Sequence, residues 1–280
     1  MSQNHPDSAR VGLIAGYGSF PLEIAQNLLN LGFQVHTVAI NEETSPAIED
    51  VSVSTCWLRV GQVQGMINAF KKTGVSRVIM AGKVKKLHLF RNFRPDFKAI
   101  QTLARLSDRR DDTILNAIAG LLAKEGIEVL PQTDYAGDML AENGHLHGPK
   151  PKKEMIRDAE FGLTQAKGIA ALDIGQTVII QNQSVLAVEA IEGTDAAIHR
   201  GGELGSGKAV VVKIAKPNQD MRFDVPAVGP DTLQAMASSG CVMLAIEAGK
   251  TLILDKQSFV QKANQLGIAV LGLIVHNSIE

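Results

Sequence analysis

The stretch Val11-Gly-Leu-Ile-Ala-Gly-Tyr-Gly-Ser-Phe-Pro21 decides the fold class of the first half of the chain. Residues 11–15 form a short apolar run that ends at glycine, which predicts a buried strand. Pro21 stands where a helix should begin, because proline fits a first turn whose N–H groups have no partner inside the helix. The stretch therefore predicts a strand, a tight glycine turn and a helix.

The same alternation continues over residues 1–140, which we interpret as an N-terminal domain. The apolar patterns predict further strands at 34–40, 75–81 and 127–130, and helices at 60–72 and 113–124. Strands separated by helices of this length predict a mostly parallel sheet with both faces covered.

Residues 141–153 carry little apolar content, and we interpret them as a linker to a second α/β domain over 154–280. A hairpin around Asn182-Gln183, four further strands and several helices are predicted there. His145 and His147 suggest a metal site, but no third ligand lies nearby in sequence, so a solvated linker is preferred.

The composition excludes several classes of protein. The 280 residues carry 28 Lys and Arg against 29 Asp and Glu, a net charge of -1, which argues against a nucleic-acid-binding protein. A hydrophobic fraction of 45% argues against disorder. Cys56 and Cys241 are far apart and fit a reducing cytoplasm. We expect neither a signal peptide at residues 1–10 nor a membrane-spanning segment.

Two glycine motifs suggest phosphate binding. Gly16 and Gly18 match a dinucleotide fingerprint, but Pro21 occupies the place of its third glycine. A tight structural turn and a nucleotide or phosphate site both remain open for this motif. The stretch Gly202-Glu-Leu-Gly-Ser-Gly-Lys208 has P-loop spacing, yet Ala209 replaces the Ser or Thr that binds Mg²⁺ and a strand follows, so we reject a P-loop.

The segment between residues 213 and 226 combines acidic and basic side chains within a short stretch. If the chain is extended there, Asp220, Arg222 and Asp224 share one face, with Lys213 and Lys216 upstream. Carboxylates are hard ligands for Mg²⁺, while Lys and Arg balance phosphate charge. The alternative to such a magnesium–phosphate centre is an exposed ladder of ion pairs.

Further acidic residues follow predicted strands. The stretch Glu192-Gly-Thr-Asp195 joins a strand to a short helix, whose free N–H groups favour phosphate. A plain helix cap explains Thr194 or Asp195 but not Glu192. Glu247 also ends a strand, and ligands of open α/β sheets gather at carboxyl ends of strands.

Residues 83–110 contain nine Lys or Arg and two Asp, interleaved with Phe90, Phe93 and Phe97. The mixture suits an anionic membrane surface or an acidic lipid. Nucleic acid is the competing partner, but the spacing of the phenylalanines fits one helical face better than an array that stacks bases. The other alternative is a solvated basic face over core phenylalanines. Asp111 and Asp112 follow at the predicted start of a helix and are candidate site residues.

The order of several motifs carries a family resemblance. They are Leu13-Ile-Ala-Gly-Tyr-Gly-Ser-Phe-Pro21, Val78-Ile-Met-Ala-Gly-Lys-Val84, Arg110-Asp-Asp-Thr-Ile-Leu115, Ala171-Leu-Asp-Ile-Gly-Gln176, Glu192-Gly-Thr-Asp195, Lys216-Pro-Asn-Gln-Asp220, Asp224-Val-Pro226 and Ala245-Ile-Glu-Ala-Gly249. With them the chain resembles, from Val11 to about Leu273, the LpxI family of UDP-2,3-diacylglucosamine pyrophosphatases of bacterial lipid A synthesis. Tyr17 stands where many members carry Asn.

The resemblance implies a Rossmann-like N-terminal domain, a distinct α/β C-terminal domain and a lipid substrate between them. It implies Mg²⁺-dependent hydrolysis of UDP-2,3-diacylglucosamine to 2,3-diacylglucosamine 1-phosphate and UMP, with water attacking the β-phosphorus. The essential aspartate of the family falls on Asp224, which we expect to bind Mg²⁺ or activate the water. Asp220, Glu192 and Asp195 would support the metal.

Lys213, Lys216 and Arg222 would balance the charge of the diphosphate. The other expected substrate contacts are Gly16, Tyr17, Gly18, Phe20, Pro21, Gly82, Lys83, Asp111, Asp112, Gly193, Thr194, Gln219 and Glu247. We also expect a homodimer in the bacterial cytoplasm, peripheral on the inner membrane. Two rival functions stay open: an NAD-dependent oxidoreductase, suggested by Gly16 and Gly18, and a non-catalytic lipid or nucleotide carrier.

Overall fold

The computed structural model describes residues 10–84, 95–104, 106 and 111–274. Two units follow from the contacts. The N-terminal unit is Met1–Ala136 with Asp220–Asp224, and the C-terminal unit is Gly137–Gln219 with Val225–Glu280. Each unit has its own sheet and its own helices, which confirms the predicted α/β class.

The described part of the N-terminal unit alternates strands with helices. Its strands are β1 (Arg10–Ala15), β2 (Gln34–Ile40), β3 (Ser54–Leu58), β4 (Arg77–Ala81) and β5 (Glu128–Val129). Its helices are α1 (Phe20–Asn30), α2 (Val63–Thr73), α3 (Phe97–Leu103) and α4 (Asp111–Lys124). Two short 3-10 helices in this unit span Pro46–Val51 and Gln132–Tyr135.

The sheet of this unit is parallel throughout, in the order β3-β2-β1-β4-β5. This is the order of the first five strands in doubly wound folds, which place ligands outside the carboxyl ends of the strands. On one face Ile14 and Val78 pack in a core with Phe70 of α2 and Leu122 of α4. The central position of β1 sets the glycine turn after Ala15 at this carboxyl edge.

The C-terminal unit carries the remaining elements. Its strands are β6 (Gly144–His147), β7 (Thr177–Gln181), β8 (Ser184–Val188), β9 (Ala209–Lys213), β10 (Ala227–Val228), β11 (Cys241–Glu247), β12 (Leu252–Ile253) and β13 (Ala269–Leu273). Its helices are α5 (Lys153–Ala171), α6 (Thr194–Leu204), α7 (Pro230–Ser238) and α8 (Lys256–Leu266).

Six of these strands form one mixed sheet in the order β6-β13-β11-β9-β7-β8. Strands β9, β11 and β13 are parallel, while β6, β7 and β8 run antiparallel to their neighbours. Because side chains alternate along a strand, Val211 packs on the face covered by α6, α7 and α8, and Val212 packs under α5. A separate two-stranded sheet joins β10 to β12.

The stretch 141–153 was expected to be a linker, but its middle residues form strand β6 of the second sheet. Strand β6 pairs antiparallel with β13, and Gly148 lies so close to Ile268 that an added Cβ would be 1.9 Å from that carbonyl oxygen. His147 is half-buried with its ring 6.2 Å from Phe259. This part of the chain is therefore an edge strand, and its low apolar content reflects a sheet edge.

Among the described residues, no helix is both long enough and apolar enough to span a bilayer.

Candidate functional site

The glycine turn after β1 lies against the residues that follow β4. Tyr17 and Lys83 form an antiparallel bridge, in which each backbone N–H donates to the other carbonyl at 2.6 and 3.0 Å. A Cβ on Gly16 would lie 2.5 Å from the Lys83 oxygen, and one on Gly82 would lie 2.8 Å from the Tyr17 oxygen. The structure thus brings these four predicted residues together, and the two glycines permit the backbones to touch.

Other residues of the motif differ in exposure. Gly18 has a φ of 107° and open space around it, so the chain needs glycine there for its backbone conformation. Tyr17 is exposed, whereas Phe20 and Pro21 are buried in the packing of α1. Of the predicted substrate contacts in this motif, Phe20 and Pro21 therefore contribute packing to the start of the helix.

Asp220–Asp224 forms a turn, so the condition of an extended chain, under which Asp220, Arg222 and Asp224 would share one face, is not met. The Asp224 and Phe223 N–H groups both donate to the Asp220 carbonyl, at 2.9 and 3.2 Å. The Asp220 carboxylate accepts the Arg222 N–H at 3.1 Å. A short acidic side chain that bonds its own backbone two residues on favours a turn over a strand.

Asp220 and Arg222 form a forked ion pair. Arg222 Nε donates to Oδ1 at 2.9 Å, and its terminal nitrogen donates to Oδ2 at 2.6 Å. The hydrogen bond from Arg222 lowers the pKa of Asp220, and the same bond raises the pKa of Arg222. Two of the predicted site residues thus neutralise each other. Asp224, the second aspartate of the turn, is also half-buried.

Three contacts hold the turn within the N-terminal unit. The Met221 carbonyl accepts the Gln132 N–H at 2.8 Å, and the Gln132 side chain donates to the Met80 carbonyl at the end of β4 at 2.7 Å. Phe223 packs against the core of this unit. Arg222 donates to Asn116 of α4 at 2.8 Å.

Sequence reasoning did not identify Gln132 or Asn116. Asn116 lies 106 positions from Arg222 along the chain, and Gln132 lies 52 positions from Met80. No local motif marks either residue, because both act through contacts that exist only in the folded unit.

In the C-terminal unit, Lys213 at the end of β9 lies beside the start of α6. Its Nζ donates to Thr194 Oγ1 at 3.1 Å, and Thr194 donates in turn to Glu189 Oε1 at 2.7 Å. Gly193 is the N-cap residue, with a φ of 87° and no capping side chain. The structure therefore joins predicted residues Gly193, Thr194 and Lys213, and adds Glu189, which the sequence did not single out.

The other predicted residues of this unit have partners of their own. The buried Glu247 carboxylate accepts the Ala215 N–H at 2.9 Å and pairs with Lys250. Lys216 pairs with Asp173 at 2.5 Å, and its N–H donates to the Gln219 side chain at 2.7 Å. These contacts fix the chain that follows β9.

Glu192 and Asp195 lie on the exposed side of this region. Glu192 pairs with Arg200 at 2.5 Å, while Asp195 is in the first turn of α6. Hydrogen bonds from its own backbone N–H and from Arg200 lower the pKa of Glu192. Glu192 therefore lies before the helix, whereas Asp195 lies within its first turn.

A metal cage made of protein side chains is absent from the part of the chain that the structure describes. No group of three or more His, Cys, Asp or Glu is placed there to hold an ion, so no three of the expected ligands Asp224, Asp220, Glu192 and Asp195 gather. Magnesium needs less, since it is often held by one or two carboxylates together with substrate phosphates and water. Asp224 fits that requirement.

Part of the predicted site lies outside the described residues. For Asp111 and Asp112 only the backbone at the start of α4 is described. Within the basic stretch 83–110, residues 85–94, 105 and 107–110, including Phe90 and Phe93, are outside the description. Phe97 and Ile100 of α3 are described, with 81% and 53% of their surface exposed.

The solved structures that match this chain are only distantly similar to it. The biotin carboxylase subunit of pyruvate carboxylase matches with a TM-score of 0.27 at 13% identity, covering 65% of this chain and 35% of that chain. A biotin carboxylase complex from Campylobacter jejuni matches with a TM-score of 0.29 at 11% identity, covering 82% of this chain and 41% of that chain. The chain spans well under half of those proteins, and similarities this low carry no argument.

Protein families match both halves of the chain. The LpxI N-terminal domain matches residues 10–139, and the LpxI C-terminal domain matches residues 142–271. The UDP-2,3-diacylglucosamine pyrophosphatase LpxI of Caulobacter vibrioides is 30% identical over 275 residues, covering 94% of this chain and 97% of that protein. With both domains matched in order and a relative aligned over nearly its whole length, this chain belongs to the LpxI family.

Proposed function

We propose that this protein hydrolyses the diphosphate of UDP-2,3-diacylglucosamine, releasing UMP and 2,3-diacylglucosamine 1-phosphate for lipid A synthesis. The observation that carries the proposal is the match to a relative of that name over 94% of this chain and 97% of the relative. Two of the predicted motifs support it. The Gly16–Gly18 turn lies at the carboxyl edge of the first sheet, and Gly193-Thr194 lies at the start of α6.

Asp224 is the proposed catalytic residue. Asp220 and Arg222 form an ion pair within the turn, and Phe223 packs against the core, so both contacts fix the chain that carries the Asp224 carboxylate. We propose that it binds Mg²⁺ or accepts the proton of the attacking water. When bound, Mg²⁺ would neutralise phosphate charge and polarise the phosphorus centre.

Lys213 and the start of α6 are the proposed binding groups for phosphate oxygens. An ammonium group and the free N–H groups of a first helical turn both favour an anion. Lys83 and the Gly16–Gly18 turn are proposed to contact substrate as well. Lys216 and Arg222 form ion pairs with Asp173 and Asp220. Each would therefore act on the charge of the diphosphate together with its paired carboxylate.

The test is analysis of the phosphate products of UDP-2,3-diacylglucosamine, with Mg²⁺ and with EDTA. We expect UMP and 2,3-diacylglucosamine 1-phosphate with Mg²⁺, and at least about 100-fold less of each with EDTA because charge neutralisation is lost. In ¹⁸O-labelled water, attack at the β-phosphorus places the label in the sugar phosphate. Product formation that EDTA leaves unchanged would contradict the metal requirement.

The same experiment separates the rival functions. A carrier would bind the substrate tightly and release no UMP, with either Mg²⁺ or Mn²⁺ present. An oxidoreductase would bind nicotinamide cofactor, which fluorescence detects. Pro21, in place of the third glycine, and the buried side chains of α1 do not favour that cofactor.

We also propose that the protein contacts an anionic membrane surface in the bacterial cytoplasm through the region around α3. Phe97 and Ile100 are both exposed and lie three residues apart, so they share one face of the helix. The neighbouring stretch 83–110 is strongly basic in sequence. Exposed apolar side chains beside basic residues bind the interface of anionic membranes. The homodimer stays a prediction.

Vesicle sedimentation tests the membrane contact. We expect the double change Phe97→Ser and Ile100→Ser to weaken binding to phosphatidylglycerol-containing vesicles by about ten-fold, because buried apolar area is lost. The matched control is Ile191→Ser, since Ile191 is fully exposed in the C-terminal unit. The proposal would be contradicted if binding did not depend on lipid charge and did not change when Lys85 and Lys86 were replaced by Glu.

A further inference from the structure

Three polar residues, Lys213, Thr177 and Glu189, lie in a row across neighbouring chain segments at the end of the second sheet. Lys213 of β9 lies opposite Thr177 of β7 in antiparallel register, and the Glu189 N–H donates to the Thr177 carbonyl at 2.8 Å. Since side chains alternate, Lys213 and Thr177 share the face of Val211 and Ile179, which packs under α6 and α7. A row of polar groups thus begins where the apolar core of this face ends.

Two of the three residues are buried, and one hydroxyl links the row to α6. Only 8% of Lys213 and none of Thr177 is exposed. Lys213 donates to Thr194 Oγ1, and the Thr194 hydroxyl, having accepted that bond, donates to Glu189 Oε1. The direction of each bond is therefore defined, from ammonium through hydroxyl to carboxylate. Among the described residues, Thr177 Oγ1 and Glu189 Oε2 are buried without a hydrogen-bond partner.

A buried ammonium requires a nearby negative charge, because desolvation favours its neutral form. The charged groups around Lys213 differ in how well they meet that need. Asp195 is exposed, and Glu192 is exposed and pairs with Arg200. Glu247 binds the Ala215 N–H and Lys250, and it extends from the opposite face of the sheet. The Glu189 carboxylate is linked to Lys213 through the Thr194 hydroxyl.

We propose that Glu189 is a positioning residue that keeps Lys213 charged and in place beside the first turn of α6, so that this ammonium binds a phosphate of the substrate. The inference rests on the proposed function, in which Lys213 contacts the diphosphate. Glu189 itself does not touch the substrate. It acts through the Thr194 hydroxyl. A substitution that removes only the charge of Glu189 would leave that hydroxyl in place.

The first test follows the Lys213 ammonium directly, without substrate. The protein is labelled with ¹⁵N-lysine, and the Nζ signal of Lys213 is assigned with Lys213→Arg. In Glu189→Gln, which keeps an acceptor but removes the charge, we expect Lys213 to lose its proton at least about one pH unit lower than in wild type. The matched control Glu192→Gln should leave the Lys213 titration unchanged.

The second test measures binding of UDP as a diphosphate probe by calorimetry across the same pH range. We expect the Glu189→Gln protein to bind UDP about ten-fold more weakly than wild type above its lowered Lys213 titration, and to recover affinity below it. Glu189→Asp should restore part of the loss. A weakening that is equal at every pH would indicate a merely structural role and would overturn the inference, as would an unchanged Lys213 titration.

Two further outcomes keep the proposals separable. If Glu189→Gln does not fold, Thr194→Val tests the same chain of bonds, because it breaks the link between Lys213 and Glu189 while keeping both charges. If the Lys213 titration shifts but the wild-type protein forms no UMP from UDP-2,3-diacylglucosamine, the proposed function is wrong while the link from Glu189 to Lys213 stands.

Discussion

The Asp224→Ala protein is expected to hydrolyse UDP-2,3-diacylglucosamine at least about 100-fold more slowly than wild type at saturating Mg²⁺, the loss typical of removing a group that stabilises transition-state charge. Affinity for the uncleaved substrate should stay within a few-fold, because other residues supply the binding contacts. Initial rates of UMP release, with substrate affinity measured separately, check both expectations.

The control for this prediction must preserve the turn. Asp224 donates its backbone N–H to the Asp220 carbonyl, and this bond does not depend on the side chain, so the turn should persist in the variant. Thermal unfolding checks that the variant is folded. Asp231→Ala, at an exposed aspartate in the first turn of α7, should retain wild-type turnover. Turnover within a few-fold of wild type in a folded Asp224→Ala protein would remove Asp224 from the catalytic role.

The Gly82→Ala protein is expected to lose about 2–5 kcal/mol of unfolding free energy in the N-terminal unit, and most of its activity. Gly82 has a φ of 87°, which strains any residue with a Cβ, and that Cβ would lie 2.8 Å from the Tyr17 carbonyl oxygen and from Pro21 Cγ. Accommodating it would separate Lys83 from the glycine turn. Denaturant unfolding and UMP release measure the two effects.

Gly120→Ala is the matched control in the same unit. Gly120 lies inside α4, with no atoms within 4 Å of an added Cβ, so alanine there should stabilise the helix by about 0.5–1 kcal/mol. Equal stability of the Gly82→Ala and wild-type proteins would show that the contact between the two loops can open without cost, and would weaken the case for Lys83 as a site residue.

The strands of the first sheet were predicted where they are buried and apolar. The pattern gave β1, β2 and β4 at their correct places, because a central parallel strand is a continuous apolar run. Strand β3 was missed, since it lies at the sheet edge, is only half-buried and carries Ser54, Thr55 and Cys56. Strand β6 was taken for a linker for the same reason.

The conformation of the chain at the candidate site could not be predicted from the sequence. A shared face for Asp220, Arg222 and Asp224 required an extended chain, but bonds from Arg222 and from the backbone to Asp220 fold the chain into a turn. Glu189 was not identified, since nothing in its immediate sequence distinguishes it from an ordinary acidic residue at a strand end. Its relation to Lys213 depends on a contact with Thr194 across 19 residues.

The sequence by itself determined the α/β class, the glycine turn after the first strand and the family to which the motifs belong, because each follows from short-range pattern and spacing. Only the tertiary structure decided which unit holds the Asp220–Asp224 turn, and which carboxylates are already paired. The physical reason is that burial and pairing depend on long-range contacts. Gln132, Asn116 and the core around Phe223 place this late segment in the N-terminal unit, although its neighbours in sequence belong to the C-terminal one.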